Sequence, residues 1–164
     1  MHILFIHQNF PAQFRCIAPR LAGDYGWTCT FATHNATVPA PPGVRKVLYP
    51  LRNGPHPLSH PCTRGFEAAT GHAVGAYEAL KHRTDIKPDL VVAHSGFGSS
   101  LYLPYLYDCP LLNFFEFYFR PVGQDLGYRP ELPVTESSLL RWRTSNAMTL
   151  HDLESCDRGW SPSE

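Results

Sequence analysis

The chain has no excess of either charge: fourteen Lys and Arg stand against fourteen Asp and Glu, and the pI is near 7. Nucleic-acid proteins carry basic surplus to neutralise phosphates, so that class is excluded. It has no long apolar run either. Residues 111–119 are interrupted by Asn113 and Glu116, against the roughly 20 residues a membrane span needs. The start, Met1-His2-Ile3-Leu4-Phe5-Ile6-His7, lacks the basic leader and the apolar length of a signal peptide. No C-x-x-C pair occurs among the five scattered cysteines, which are expected to be reduced thiols in a cytoplasmic protein. There is no P-loop and no Gly-x-Ser-x-Gly elbow, so a phosphate cradle and a serine nucleophile are both missing.

What is present is enough for one folded domain. In 164 residues, 43% are hydrophobic and 13% aromatic, which excludes disorder. Short apolar runs at 3–6, 27–33, 44–48, 90–93 and 111–115 are bounded by turn residues and read as strands buried on both faces. Between them lie helical segments. Residues 12–22 place Phe14, Ile17 and Leu21 on one face, with Pro19 set to kink or restart the helix. Residues 63–83 repeat Phe66, Ala69, Ala73, Tyr77 and Leu80 at helical spacing, and Gly71 and Gly75, one turn apart, allow a backbone to come close. A short helix is expected over 99–107, and Thr135 can cap a last one running to about 154. Residues 34–62, with seven of the sixteen prolines, form an irregular Pro-rich insertion around one strand.

Strands alternating with helices predict an α/β, Rossmann-like three-layer sandwich. A mainly parallel sheet carries helices on both faces, in a single domain over 1–164. Ligands bind such sheets at the carboxyl ends of the strands, at the switch in strand order. Three loops fall there: 7–11, 94–98 and 116–120.

The first loop offers His7, Gln8 and Asn9 to a sugar or phosphate, or simply to solvent. In the second, His94 is either a hydrogen-bonded core residue or a general acid/base near a substrate oxygen. Ser95-Gly96-Phe97-Gly98 makes a tight turn that is either merely structural or, ahead of a helix, offers amides that suit an anion. Glu116, eighteen residues beyond Gly98, imitates the ribose-binding acid of a dinucleotide fingerprint that lacks its third glycine. In the aromatic run 114–120, Glu116 must pair, with Arg120 for instance, or open to a cleft beside Tyr118. The prolines among His56, His60 and Cys62 prevent a convergent zinc site there, and no bound metal is expected.

The opening Met1-His2-Ile3-Leu4-Phe5-Ile6-His7-Gln8-Asn9-Phe10-Pro11-Ala12-Gln13-Phe14 resembles the N-terminal domain of family 4 glycosyltransferases. So do Pro88-Asp89-Leu90-Val91-Val92-Ala93-His94, the stretch 111–121, and Arg141-Trp142-Arg143 ahead of Trp160-Ser161-Pro162-Ser163. The resemblance implies half of a GT-B architecture, in which this domain holds the acceptor. A C-terminal domain absent from this sequence would bind a nucleotide-sugar donor, such as a UDP- or GDP-sugar. It further implies that this domain itself binds no cofactor. His94 matches a histidine close to the transferred sugar. The loop from His7 through Phe10 to Gln13 matches one that approaches donor phosphates and acceptor.

Two departures stand out. The first loop lacks the relatives' glycine pair, and Phe115-Glu116-Phe117-Tyr118 replaces a Thr-x-His. The expected function is acceptor binding within a hexosyltransferase-type glycosyltransferase, the acceptor being a glycan, a lipid-linked sugar or a small molecule. The isolated chain should be inactive. Its interdomain face would support self-association, and the complete enzyme would be cytoplasmic with peripheral contact to the inner membrane face. The alternative is a free-standing small-molecule-binding module without catalysis, or a dinucleotide-binding one using Gly96, Gly98 and Glu116.

Overall fold

The computed structural model describes residues 1–120, 127–129 and 131–162. Pro121 and Ser163, which carry part of the family resemblance, and part of the polar segment 120–133 lie outside the described residues. Six strands, β1 (His2–Ile6), β2 (Thr28–Thr33), β3 (Val44–Leu48), β4 (Leu90–His94), β5 (Leu111–Phe114) and β6 (Arg158–Trp160), form one sheet in the order β3-β2-β1-β4-β5-β6. Every pairing is parallel. The Rossmann-like α/β expectation holds, and the strand order reverses between β1 and β4.

Alternate residues of a strand point to opposite faces, and the two cores follow that rule. Leu4, Ile6, Val91, Ala93 and Leu111 pack with Ala76 and Leu80 of α2 (Arg64–Leu80) and with Leu103. Ile3, Phe5, Phe31 and Val92 pack on the other side with Phe14 and with Ala18 of α1 (Ile17–Tyr25). The aromatic trio Phe5, Phe14 and Phe31 has ring centroids 5.4–6.1 Å apart, the range in which rings attract beyond simple burial.

The helices depart from expectation in instructive ways. The segment 12–22 is not one helix. A single 3-10 turn, Ala12–Phe14, precedes α1, and Pro19 falls within the first turn of α1, where its missing N–H costs nothing. Ile17, assigned to the buried face, is 50% exposed, and Ala18 takes that place four residues after Phe14. Residues 99–107 hold only a 3-10 turn, Leu103–Tyr105, because Pro104 can neither donate nor fit inside a longer helix. The last helix is two, α3 (Glu136–Ser145) and α4 (Ala147–Ser155), meeting at Asn146. Thr135 does cap α3, in a reciprocal box with Ser138. The edge strand β6 was not foreseen.

The glycines of α2 do what their spacing implied. A Cβ on Gly75 would lie 1.9 Å from the Pro50 carbonyl oxygen, and one on Gly71 2.5 Å from that of Arg52. The Arg52 amide donates to the Gly71 carbonyl at 3.1 Å. Part of the Pro-rich stretch is thereby pressed onto the helix as it leaves β3. Among the described residues no helix is long and apolar enough to cross a membrane.

Candidate functional site

At the switch point, His7 follows β1 directly and His94 ends β4, so parallel neighbours deliver two imidazoles side by side. Their ring centroids are 4.8 Å apart. Both are almost fully buried, 2% and 3% exposed. Phe97 covers the pair at 4.7 Å from His7 and 4.8 Å from His94, and Phe114 lies 5.2 Å from His94. A cleft of about 700 Å³ opens beside them, also lined by Asn9, Gln13, Arg15 and Glu116.

The neighbours of each imidazole bear on where its proton sits, and His7 Nδ1 faces both the Asn9 amide and, at 3.1 Å, the Asn9 carbonyl. The Asn9 amide donates to His7 Nδ1 at 2.9 Å, so that nitrogen carries a lone pair and the ring proton sits on Nε2. Nε2 is buried with no partner among the described residues. In His94 it is the other nitrogen, Nδ1, that is buried without a partner among the described residues. Nε2 lies 3.3 Å from a Glu116 carboxylate oxygen, the side that favours the ring proton. Gln13 donates to the same Glu116 oxygen at 2.8 Å and holds the carboxylate in place. An unmet donor and an unmet acceptor therefore stand on neighbouring rings.

Burial disfavours the charged form of both. It lowers His7 to about 4, against a smaller opposing contribution from the Asn9 backbone and with help from His72. It lowers His94 to about 4, with His7 adding to the effect. At neutral pH both rings are neutral.

The remaining candidates separate by place. Phe10 is core: its ring meets Phe31 edge-on at 4.7 Å under the Lys46 ammonium. The Gln8 carbonyl anchors the first loop, accepting from Thr33 Oγ1 and the Asn35 amide, and Gln8 does not line the cleft. The Ser95 amide donates to the Phe114 carbonyl at 2.9 Å. Tyr118 and Arg120 are exposed and outside the cleft lining.

The anion-binding reading of Gly96-Phe97-Gly98 is corrected. No α-helix follows the turn, and the Gly96 amide already donates to Asp152 Oδ2 at 2.7 Å. A Cβ on Gly98, whose φ is +74°, would lie 2.3 Å from the Ala69 carbonyl oxygen, so this glycine lets the loop lie against α2. The Gly96 amide is therefore already paired, and no α-helix N-terminus stands behind the turn.

Two residues escaped the sequence reading. Asp152 of α4 is fully buried, bonds the Gly96 amide, and sits beside Ser95 and Ser100; burial pushes its carboxyl up. Asn146, at the break between α3 and α4, clasps the Phe119 backbone, accepting from its amide at 2.9 Å and donating to its carbonyl at 2.8 Å. Among the many polar residues of 136–155, nothing local in the sequence singles out either one. Among the described residues no group of three or more His, Cys, Asp or Glu is placed to hold a metal ion.

Comparison with known proteins adds a family and weaker likenesses of fold. The model of the "Glycosyl transferase family 4 group" matches residues 25–164. Among solved structures, the chain is similar to apo UGT2 of Phytolacca americana, at 14% identity and a TM-score of 0.48, over 71% of this chain and 29% of that one. It is similar to the same protein complexed with UDP-2fluoro-glucose and pterostilbene, at 15% and 0.47, over 71% and 30%. The chain thus spans about three-tenths of those structures. No curated protein matches.

Proposed function

The chain belongs to the glycosyl transferase family 4 group, and on that premise we propose that it is the acceptor-binding half of a GT-B sugar transferase. The observation that carries this reading is the unmet donor on His7 Nε2 beside the unmet acceptor on His94 Nδ1. A hydroxyl both accepts and donates, so a sugar hydroxyl satisfies the two at once. Neither ring is charged near neutrality, which suits an uncharged hydroxyl better than a phosphate.

Phe97 lies over both rings, so substrate enters as its side chain turns aside, while Asp152 and Ala69 hold the flanking glycines. His94 Nδ1 then takes the hydroxyl proton. The acceptor oxygen bonds to the anomeric carbon as that carbon's bond to the nucleoside diphosphate breaks, the diphosphate leaving with the electron pair. Glu116 steadies the imidazolium that forms, and Gln13 steadies Glu116. The donor sugar-nucleotide belongs to a second domain, which would also stabilise the leaving charge. With the Gly96 amide engaged by Asp152, the dinucleotide alternative loses its phosphate cradle.

Equilibrium titration of the 164-residue chain tests the assignment. Saturable binding of neutral mono- or disaccharides, lost in His94→Gln and absent for UDP- and GDP-sugars, is expected. Tight nucleotide-sugar binding, or robust transfer by this chain alone, would overturn it.

A further inference from the structure

A second cavity, of about 370 Å³, lies between the first turn of α2 and the α3–α4 pair. The loop after β4 touches both cavities: Phe97 lines the cleft described above, and Gly96 lines this one. Two arginines from different helices, Arg64 and Arg141, share its wall with Phe66 and Met148, and among the described residues no carboxylate lines it.

Each arginine is suited to a different part of the task. Arg64 is held in place, donating from Nε to the Ser59 carbonyl at 3.2 Å and from Nη2 to the Pro57 carbonyl at 2.8 Å. The Arg141 guanidinium has no hydrogen bond or ion pair among the described residues. The nearest acid in sequence, Glu67, is engaged by the hydroxyls of Ser59 and Thr63 and lies outside the lining. Thr144 Oγ1 donates to the Cys62 carbonyl at 2.6 Å, which ties α3 to the segment leading into α2 and fixes the spacing of the two cations. In a chain with no net charge, two guanidinium groups thus line one pocket, while Glu67, the acid that acts electrostatically on Arg64, stands outside the lining. The first-turn amides of α2 add the positive end of that helix.

We propose that this pocket binds the phosphate group of an organic phosphate, gripped by Arg64 and Arg141, with the ester's apolar part against Phe66 and Met148. Planar guanidinium groups match phosphate oxygens two at a time, which a lone lysine cannot do. The site is separate from the histidine pair and stands or falls independently of the acceptor assignment. The ligand is a soluble phosphate ester or the headgroup of a lipid.

Two probes separate these sources. Glycerol 3-phosphate is titrated into the 164-residue chain while the amide resonances of Gly65, Phe66 and Gly96 are followed. Co-sedimentation is measured with phosphatidylcholine vesicles with and without phosphatidic acid. Saturable shifts with the soluble ester point to the first source, and binding confined to phosphatidic acid vesicles points to the second. In either case Arg141→Gln should weaken binding about tenfold, the loss of one charge-assisted contact. Arg20→Gln, on a helix that packs against β2 and β3, should leave it unchanged. Arg141 is exposed, so the variant should keep the parent's melting temperature. Equal affinity in Arg141→Gln, or no saturable response to either probe, would overturn the proposal.

Discussion

Two carboxylates approach the loop after β4, and their surroundings differ sharply. Asp152 is fully buried, bonds a loop amide, and has its carboxyl pushed up by loss of water. Glu116 keeps 29% of its side chain in solvent at the mouth of a cleft and meets the loop's histidine through a side chain. One carboxylate fixes the backbone of the loop, and the other engages a group that can exchange a proton. The same residue chemistry thus separates, by burial and by partner, into support and function. That separation bears on the glycine turn too, where the Gly96 amide already has a carboxylate.

If the loop's backbone is support, its glycines should be intolerant. Gly98→Ala combines a left-handed backbone with a Cβ 2.3 Å from the Ala69 oxygen, and should cost about 4 kcal/mol, read from urea unfolding. Asp152→Ala leaves the Gly96 amide unpaired in the interior and should cost about 3 kcal/mol. Asp152→Asn keeps an acceptor oxygen without a buried charge and should stay within about 1 kcal/mol of the parent. A large loss in the Asn variant would mean that the charge itself is needed, and the contrast with Glu116 would weaken.

Acid sharpens the comparison. For His7 and His94 the folded pKa, about 4, lies below the unfolded 6.5, so between those values the unfolded chain binds more protons. Stability present above pH 6.5 should therefore fall as pH drops toward 4, by on the order of 3 kcal/mol for one imidazole. Asp152 works in the opposite sense, since its raised folded pKa favours the folded state on protonation. His94→Gln should flatten the acid limb, measured as unfolding free energy against pH.

The smallest stability effect belongs to Glu116→Gln. It should change unfolding by no more than about 0.5 kcal/mol, as partly exposed charges do. In the complete enzyme it should nonetheless lower kcat/KM about a hundredfold and alter the acid side of the rate profile. A stability loss comparable to that of Asp152→Ala would collapse the distinction.

Much of this fold was legible because parallel strands buried on both faces appear as continuous apolar runs, and Ile3 to Ile6 and Val91 to Ala93 are such runs. The loops that deliver His7, His94 and Glu116 to one edge followed from topology. What could not be read was longer in range. Nothing near Glu116 in sequence shows that Gln13 and His94 would meet it. Asp152 reaches Gly96 across 56 positions. Pro104 and the break at Asn146 interrupt the helices expected over 99–107 and to about 154, a local backbone effect.

The most direct test of the central claim, that His94 is a neutral base held by Glu116, is the side-chain ¹⁵N spectrum of the histidines between pH 4 and 8. The account predicts that His7 and His94 are both in the Nε2–H form at neutral pH and titrate near pH 4, with His94 perturbed by Glu116→Gln. A His94 protonated above pH 7, locked as an ion pair with Glu116, would contradict it.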